Sequence, residues 1–310
     1  MRAVYLELLD VFMIGNGSTV ALVTPMTNAG GLDWSALTNL IDFHIASGTQ
    51  NIVIAGTTGE SSTLSTDEHI MVIEKACEIA AGRIPIIAGT GSNSTSQTID
   101  LSAAVGGLPI AGYLVVVPYY NKPTQYGLEA HFTAIADALD KPIILYNVPG
   151  RTVVDMSNET IIKLSKHQNI AGVKEASGDL TRLAELRQMT GNNFLLLSGD
   201  DGTSCEFMLR GGDGCISVTA NVLPSQMRRL CDLAISGNRE EATSLDQEIQ
   251  PLHQSLFFES NPIPVKYALH TMGLIASGIR LPLTWLTESN QKPINNYLNR
   301  GNIDNEINIL

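Results

Sequence analysis

The sequence predicts an α/β fold: a (β/α)8 (TIM) barrel carrying a C-terminal helical appendage. Three observations predict it. Eight short apolar runs alternate with longer amphipathic segments, no glycine-rich phosphate fingerprint follows the first run, and 310 residues suffice for one large α/β domain. Continuous apolar runs are what parallel strands need when both faces are buried. Eight strand–helix units close such a sheet on itself.

The expected strands cover residues 18–24, 51–55, 85–89, 112–117, 142–146, 170–174, 194–198 and 214–218. Helix starts stand between them. Ser65 and Glu68 have capping-box spacing, and Asp33, Thr124, Ser157 and Asp179 are candidate caps for other helices. Residues 223–236 are expected to form the eighth helix. Beyond it, three further helical segments are punctuated by Pro251, Pro262, Pro264 and Pro282. The expected division is an N-terminal extension at 1–12, ahead of Met13, a barrel at 13–236 and a helical subdomain at 237–310.

Composition narrows the function. A net charge of −12 and a pI near 4.9 argue against a nucleic-acid backbone as partner. Cys77, Cys205, Cys215 and Cys231 form no CxxC pair, which fits reduced thiols and a cytoplasmic location better than a disulfide framework or a zinc site. No run approaches the ~20 apolar residues that span a bilayer. Glu7 and Asp10 interrupt the apolar start, so a signal peptide is not expected.

Reactive groups of a barrel gather where strands end and βα loops begin. Lys174 closes the sixth run. An ammonium ending a buried strand is poorly solvated, which favours the neutral amine that can attack a ketone and form a Schiff base. The plain alternative is a charge that snorkels from the strand end. The second strand leads into Gly56-Thr57-Thr58-Gly59-Glu60-Ser61, whose amides, hydroxyls and following helix suit a small carboxylate; a merely capped tight turn is the equal alternative. Tyr146 ends the strand beside that of Lys174, close enough to relay protons, although a buried tyrosine with a satisfied hydroxyl is commoner. Arg151, five residues on, offers a planar fork for a second carboxylate, against a salt bridge to a loop acid. Tyr119 and Tyr120 adjoin a proline-rich loop, where packing on a neighbouring subunit competes with catalysis. The six histidines make no HxH or HExxH arrangement, and Asp200-Asp201 read as helix caps, so neither metal nor organic cofactor is expected. The lysine itself supplies the electron sink.

Taken together, the Gly56-Thr57-Thr58-Gly59-Glu60 loop, Tyr146 and Lys174 resemble the Schiff-base aldolases, the N-acetylneuraminate lyase family, over residues 17–286. Three segments are similar to its dihydrodipicolinate-forming branch: Pro118-Tyr119-Tyr120-Asn121-Lys122-Pro123, Tyr146-Asn147-Val148-Pro149-Gly150-Arg151-Thr152 and Ile216-Ser217-Val218-Thr219-Ala220-Asn221. The resemblance implies that Lys174 forms an imine with pyruvate, that Thr57 and Thr58 hold its carboxylate, and that Arg151 binds L-aspartate 4-semialdehyde. It adds Gly199 and Ile216 to the substrate-binding set. Tyr146, Thr57 and Tyr120 would relay protons, Tyr120 arriving from a second copy in a homodimer or homotetramer.

The resemblance further implies a lysine-inhibition site at Ser61, Ser62, Thr66, His69, Asn93, Gln97 and Tyr119. Thr66 and Gln97 depart from the lysine-sensitive pattern, which has a histidine and a glutamate there. Losing the charge-assisted contact of that glutamate costs roughly 1.5–3 kcal/mol, one to two decades of affinity. Weak inhibition is therefore expected. The alternatives are a lyase that releases pyruvate from a 2-keto-3-deoxy sugar acid or sialic acid, which Arg151 and its Asn147-Val148-Pro149-Gly150 turn argue against, and a non-catalytic barrel, which the intact lysine and tyrosines argue against.

Overall fold

The computed structural model of the protein describes residues 14–299; the expected N-terminal extension lies outside them. Eight parallel strands form a closed barrel in chain order: β1 (Gly17–Ala21), β2 (Asn51–Ile54), β3 (Ile86–Gly89), β4 (Gly112–Val116), β5 (Ile143–Asn147), β6 (Ile170–Glu175), β7 (Leu195–Ser198) and β8 (Gly214–Ser217). β8 closes onto β1, with Thr19 opposite Ile216. Almost every strand residue is buried, as the continuous apolar runs require. Ala21, Val53, Ile87, Leu114, Ile144, Tyr146, Leu197 and Ile216 fill the interior. The opposite faces of the strands pack against the helices in a second, larger core.

Helices follow each strand: α1 (Trp34–Ala46), α2 (Thr66–Ala80), α3 (Thr95–Gly106), α4 (Gln125–Ala138), α5 (Asn158–Leu164), α6 (Arg182–Thr190), α7 (Ser204–Leu209) and α8 (Pro224–Ile235). Three more, α9 (Arg239–Ser255), α10 (Ile263–Thr271) and α11 (Glu288–Tyr297), make up the C-terminal helical region. Asp33, Thr124 and Ser157 cap α1, α4 and α5, and Ser65 and Glu68 form a reciprocal capping box on α2.

Two expectations differ. Asp179 does not cap α6; its carboxylate takes the amide (2.9 Å) and hydroxyl (2.6 Å) of Thr181, a turn that precedes the helix. The first apolar run outlasts its strand. Residues 22–24 stay buried as loop because Asn221 takes over the ladder, its Oδ1 accepting from Val23 N at 3.1 Å. The run signalled burial, and burial does not distinguish strand from packed loop.

Candidate active site

Strand parity builds the site. Tyr146 on β5 lies opposite Lys174 on β6, which lies opposite Leu197 on β7. These three face the interior, so the next residues, Asn147 and Glu175, face outward. Asn147 Nδ2 donates to Glu175 Oε2 at 3.0 Å and to Asp155 Oδ1 at 2.8 Å. Arg182 bridges the two acids from outside, at 2.6 Å from Asp155 and 3.5 Å from Glu175. That network clamps the two strands immediately behind Tyr146 and Lys174.

Both inward side chains are buried, and Lys174 Nζ stands 4.3 Å above the Tyr146 ring centre. Such a face attracts an ammonium. A cavity of about 40 Å³ at this point is lined by Lys174, Tyr146, Thr57 and Thr58. An outer cleft of about 680 Å³ shares Thr57 and Ser61 with it and reaches Arg151, Ser62, Thr66, His69, Gln97 and Tyr119. The inner cavity has room for roughly three waters, the size of a small keto acid; the outer one has room for a larger co-substrate.

The loop after β2 is tightly wound. Ala55 and Glu60 both take left-handed backbone angles, with φ of 54° and 56°. Turn hydrogen bonds run from Glu60 N to Thr57 O (3.1 Å) and from Ser61 N to Gly56 O (3.3 Å). The amides of Thr57 and Thr58 donate to no acceptor among the described residues. The loop runs into a short 3-10 turn, Ser61–Thr63, rather than directly into α2. α2 starts only at Thr66, and its own capping box already uses Ser65 and Glu68, so the loop amides and hydroxyls are the available donors.

Gly199 and Ile216 hold the site's shape. A Cβ on Gly199 would stand 2.8 Å from Lys174 Cε and 2.9 Å from its Cγ, so the missing side chain is the lysine's corridor. Ile216 packs in the interior cluster with Tyr146 and Leu197. Asp201 is not a helix cap. Its Oδ2 accepts from Val218 N and Thr219 N, both at 2.9 Å, and so braces the end of β8.

Arg151 stands on a single helical turn, Pro149–Thr152, and donates from Nη2 to Asn261 O at 3.2 Å. No acid partners it among the described residues. Tyr120 is not gathered in: it is 89% exposed, in left-handed backbone (φ 75°), and, like Asn93, lines neither cavity. Asn93 and Asn121 pin its loop to the loop after β3, Asn93 Nδ2 donating to Tyr119 O (3.2 Å) and Asn121 Nδ2 to Asn93 O (2.8 Å). His69 is buried with Nε2 on Gly89 O at 2.7 Å; burial lowers its pKa, against that hydrogen bond.

A further group escaped the sequence reading. Lys266 on α10, with no exposed surface, forms an ion pair with the equally buried Glu60 and donates to Gly278 O at 2.8 Å. Burial lowers the Lys266 pKa while Glu60 raises it. Arg280 adds a bidentate pair with Glu68 (2.7 and 2.6 Å) and reaches Thr63 O and Gly30 O. Asn261 Nδ2 donates to Thr58 Oγ1 at 2.9 Å. The signal available was a lysine inside the apolar stretch Ile263-Pro264-Val265-Lys266-Tyr267-Ala268-Leu269, since a buried cation demands a buried anion.

The description of the dihydrodipicolinate synthetase family matches residues 15–300. The chain belongs to the dihydrodipicolinate synthetase family. Among its relatives, the 4-hydroxy-tetrahydrodipicolinate synthase of Stutzerimonas stutzeri (strain A1501) is 55% identical over 278 residues, covering 90% of this chain and 95% of that one. The enzyme of the same name from Pseudomonas putida (strain W619) is 54% identical over 287 residues, 93% and 98% of the two chains. Among solved structures, the chloride-inhibited dihydrodipicolinate synthase of Acinetobacter baumannii, complexed with pyruvate, superposes with a TM-score of 0.91 at 50% identity, covering 96% of this chain and 100% of that one. Membership of the family accords with the barrel.

Proposed function

We infer that this protein condenses pyruvate with L-aspartate 4-semialdehyde to 4-hydroxy-tetrahydrodipicolinate, in lysine and diaminopimelate biosynthesis. The observation that carries the reading is the buried Lys174 amine, 4.3 Å over Tyr146, in a small cavity that also holds the Thr57–Thr58 loop.

The roles follow from position. Lys174 adds to the pyruvate carbonyl, and loss of water leaves the imine. The pyruvate carboxylate rests on the hydroxyls and unpaired amides of Thr57 and Thr58. Removing a methyl proton gives the enamine, whose carbon bonds to the aldehyde carbon of the second substrate. Arg151, with no acid of its own, holds that substrate's carboxylate. The substrate's amine then displaces Lys174 from the imine carbon and closes the ring, so the condensation releases one water overall. Tyr146 and Thr57 move the protons. Gly199 and Ile216 shape the pocket.

Tyr120 is the third member of the relay and enters from a second copy, so the working unit is a homodimer or a homotetramer. Its exposure and left-handed backbone support this, because nothing among the described residues covers the ring. Mixing inactive Tyr120→Phe and Lys174→Arg proteins should restore activity in hybrid dimers; no recovery contradicts shared sites. The four free cysteines suit the cytoplasm. Lysine inhibition is weak, because Gln97 in the outer cleft has no charge for the ligand's ammonium.

The test of the reading is turnover. Purified protein given pyruvate and L-aspartate 4-semialdehyde should form product with saturation in both. Release of pyruvate from a 2-keto-3-deoxy sugar acid, with no condensation, would overturn it in favour of a lyase.

A further inference from the structure

The two carboxylate-holding groups stand on different loops, Thr58 after β2 and Arg151 after β5. Both are bonded to one residue more than a hundred positions from either. Asn261 is buried, just ahead of α10. Its side-chain Nδ2 donates to Thr58 Oγ1 at 2.9 Å, and its backbone carbonyl accepts from Arg151 Nη2 at 3.2 Å. We propose that Asn261 is a positioning residue that joins the Thr58 and Arg151 arms of the site into one unit. This rests on the condensation reading above.

Hydrogen-bond direction gives the side chain its task. The amide NH2 is a donor, so the Thr58 oxygen accepts and its own proton is left to donate. Thr58 Oγ1 has no other partner among the described residues and lines the cavity of Lys174, where that proton meets a carboxylate. The backbone carbonyl meanwhile holds one corner of the Arg151 fork and leaves the other donors for the second substrate. Asn261 Oδ1 is buried with no partner among the described residues.

The joint does not drift. Ile263 N bonds to Ser260 O (2.9 Å) and Lys266 N to Pro262 O (3.0 Å), which fixes Asn261 to the first turn of α10. The same helix returns to the same loop through Lys266 and Glu60, two residues beyond Thr58. α10 therefore grips the pyruvate loop at two points, and Arg151 hangs from one of them.

The division between side chain and backbone makes the role separable. Asn261→Ala deletes the Thr58 contact and keeps the carbonyl under Arg151. The pyruvate Kd, measured by calorimetry without the aldehyde, should rise about tenfold, the worth of one well-placed hydrogen bond. The KM for L-aspartate 4-semialdehyde should stay within about twofold. Asn261→Asp, of the same shape, should do more harm, because a carboxylate captures the Thr58 proton and repels the substrate anion. Its pyruvate Kd relative to wild type should recover as pH falls and the acid becomes a donor again. In a Thr58→Val background, Asn261→Ala should add nothing to the pyruvate Kd. Equal rises in both constants, an unchanged pyruvate Kd, or a full effect persisting in Thr58→Val would each overturn the proposal. If Asn261→Ala does not fold, the isosteric aspartate and its pH dependence decide. Wild-type protein that binds pyruvate and fails to condense it would overturn the functional reading alone, since the calorimetric comparison needs no second substrate.

Discussion

Replacing Gly199 with alanine places a methyl group in the path of Lys174. The added carbon would lie 2.8 Å from Lys174 Cε, 2.9 Å from its Cγ and 2.7 Å from Ala176 Cβ. Carbon atoms rest about 3.5–4.0 Å apart, so these contacts must open by about 0.6 Å or more. Ala176 is fixed by its backbone, its amide bonded to Asn147 O at 2.9 Å, and cannot take the whole shift. The lysine stem therefore moves, and its amine leaves its place over Tyr146. A displacement near 1 Å at a reacting group costs roughly 10²-fold in rate, while the overpacking itself costs about 1–3 kcal/mol of stability. The expected result is kcat/KM for pyruvate down about a hundredfold, with slower imine formation in borohydride quench experiments. Gly107→Ala makes the same chemical change where nothing lies within 4 Å and should leave both measurements unchanged. Wild-type rates of imine formation in Gly199→Ala would refute the corridor argument.

Four other predictions follow from separate features. Val153, a β-branched residue at φ 59° and 70% exposed, carries roughly 1–3 kcal/mol of backbone strain; Val153→Gly relieves it at an entropic cost of about 0.5–1 kcal/mol, so Tm by calorimetry should rise by roughly 1–3 °C, and a fall would contradict the strain. Lys266→Met leaves the buried Glu60 carboxylate unpaired and should cost about 3–5 kcal/mol in urea unfolding, with Glu60→Gln in the same chain restoring most of it; a single-variant loss under about 1 kcal/mol would show that the pair does not hold the loop. The Glu68 carboxyl is lowered to about 2, chiefly by its hydrogen bonds with Arg280 and then by the Ser65 amide. A carboxyl depressed in the folded state stabilises above its unfolded value of 4.5 and loses that stabilisation as pH falls toward 2; the gap between wild type and Glu68→Gln should be full at pH 7 and vanish toward pH 2 in thermal melts, and a pH-independent gap would contradict it. Finally, wild-type half-inhibition by lysine should need millimolar ligand, and Gln97→Glu should lower it roughly 10- to 100-fold; sub-millimolar inhibition of the wild type would contradict the reading of that cleft.

The barrel was legible because parallel strands buried on both faces write themselves as continuous apolar runs, and the helices between them carry their own caps. The candidate site was legible for a related reason: in this fold the strand ends meet at one mouth, so the closeness of Lys174, Tyr146 and the Thr57–Thr58 loop could be read from position. Pairings across the chain were not legible. Glu60 looked like one more polar residue of a turn, and only the fold brings Lys266 to it from 206 positions away. Asn261 carried no signal in the sequence, because nothing local says that its amide reaches Thr58. Asp201 misled in the opposite way. Its local spacing fits a helix cap, whereas the carboxylate is taken by the end of β8, a strand later in the chain. Tyr120 was readable as both interface and relay, and its exposure in the isolated chain is what the interface reading requires.

Lys174 as the carbon-bonding nucleophile is the claim on which the rest depends. Borohydride reduction in the presence of pyruvate, followed by proteolysis and mass spectrometry, tests it directly. The account predicts one peptide carrying the reduced pyruvate adduct on Lys174, absent without pyruvate and absent in Lys174→Arg. An adduct on another lysine, or none at all in active enzyme, would contradict it.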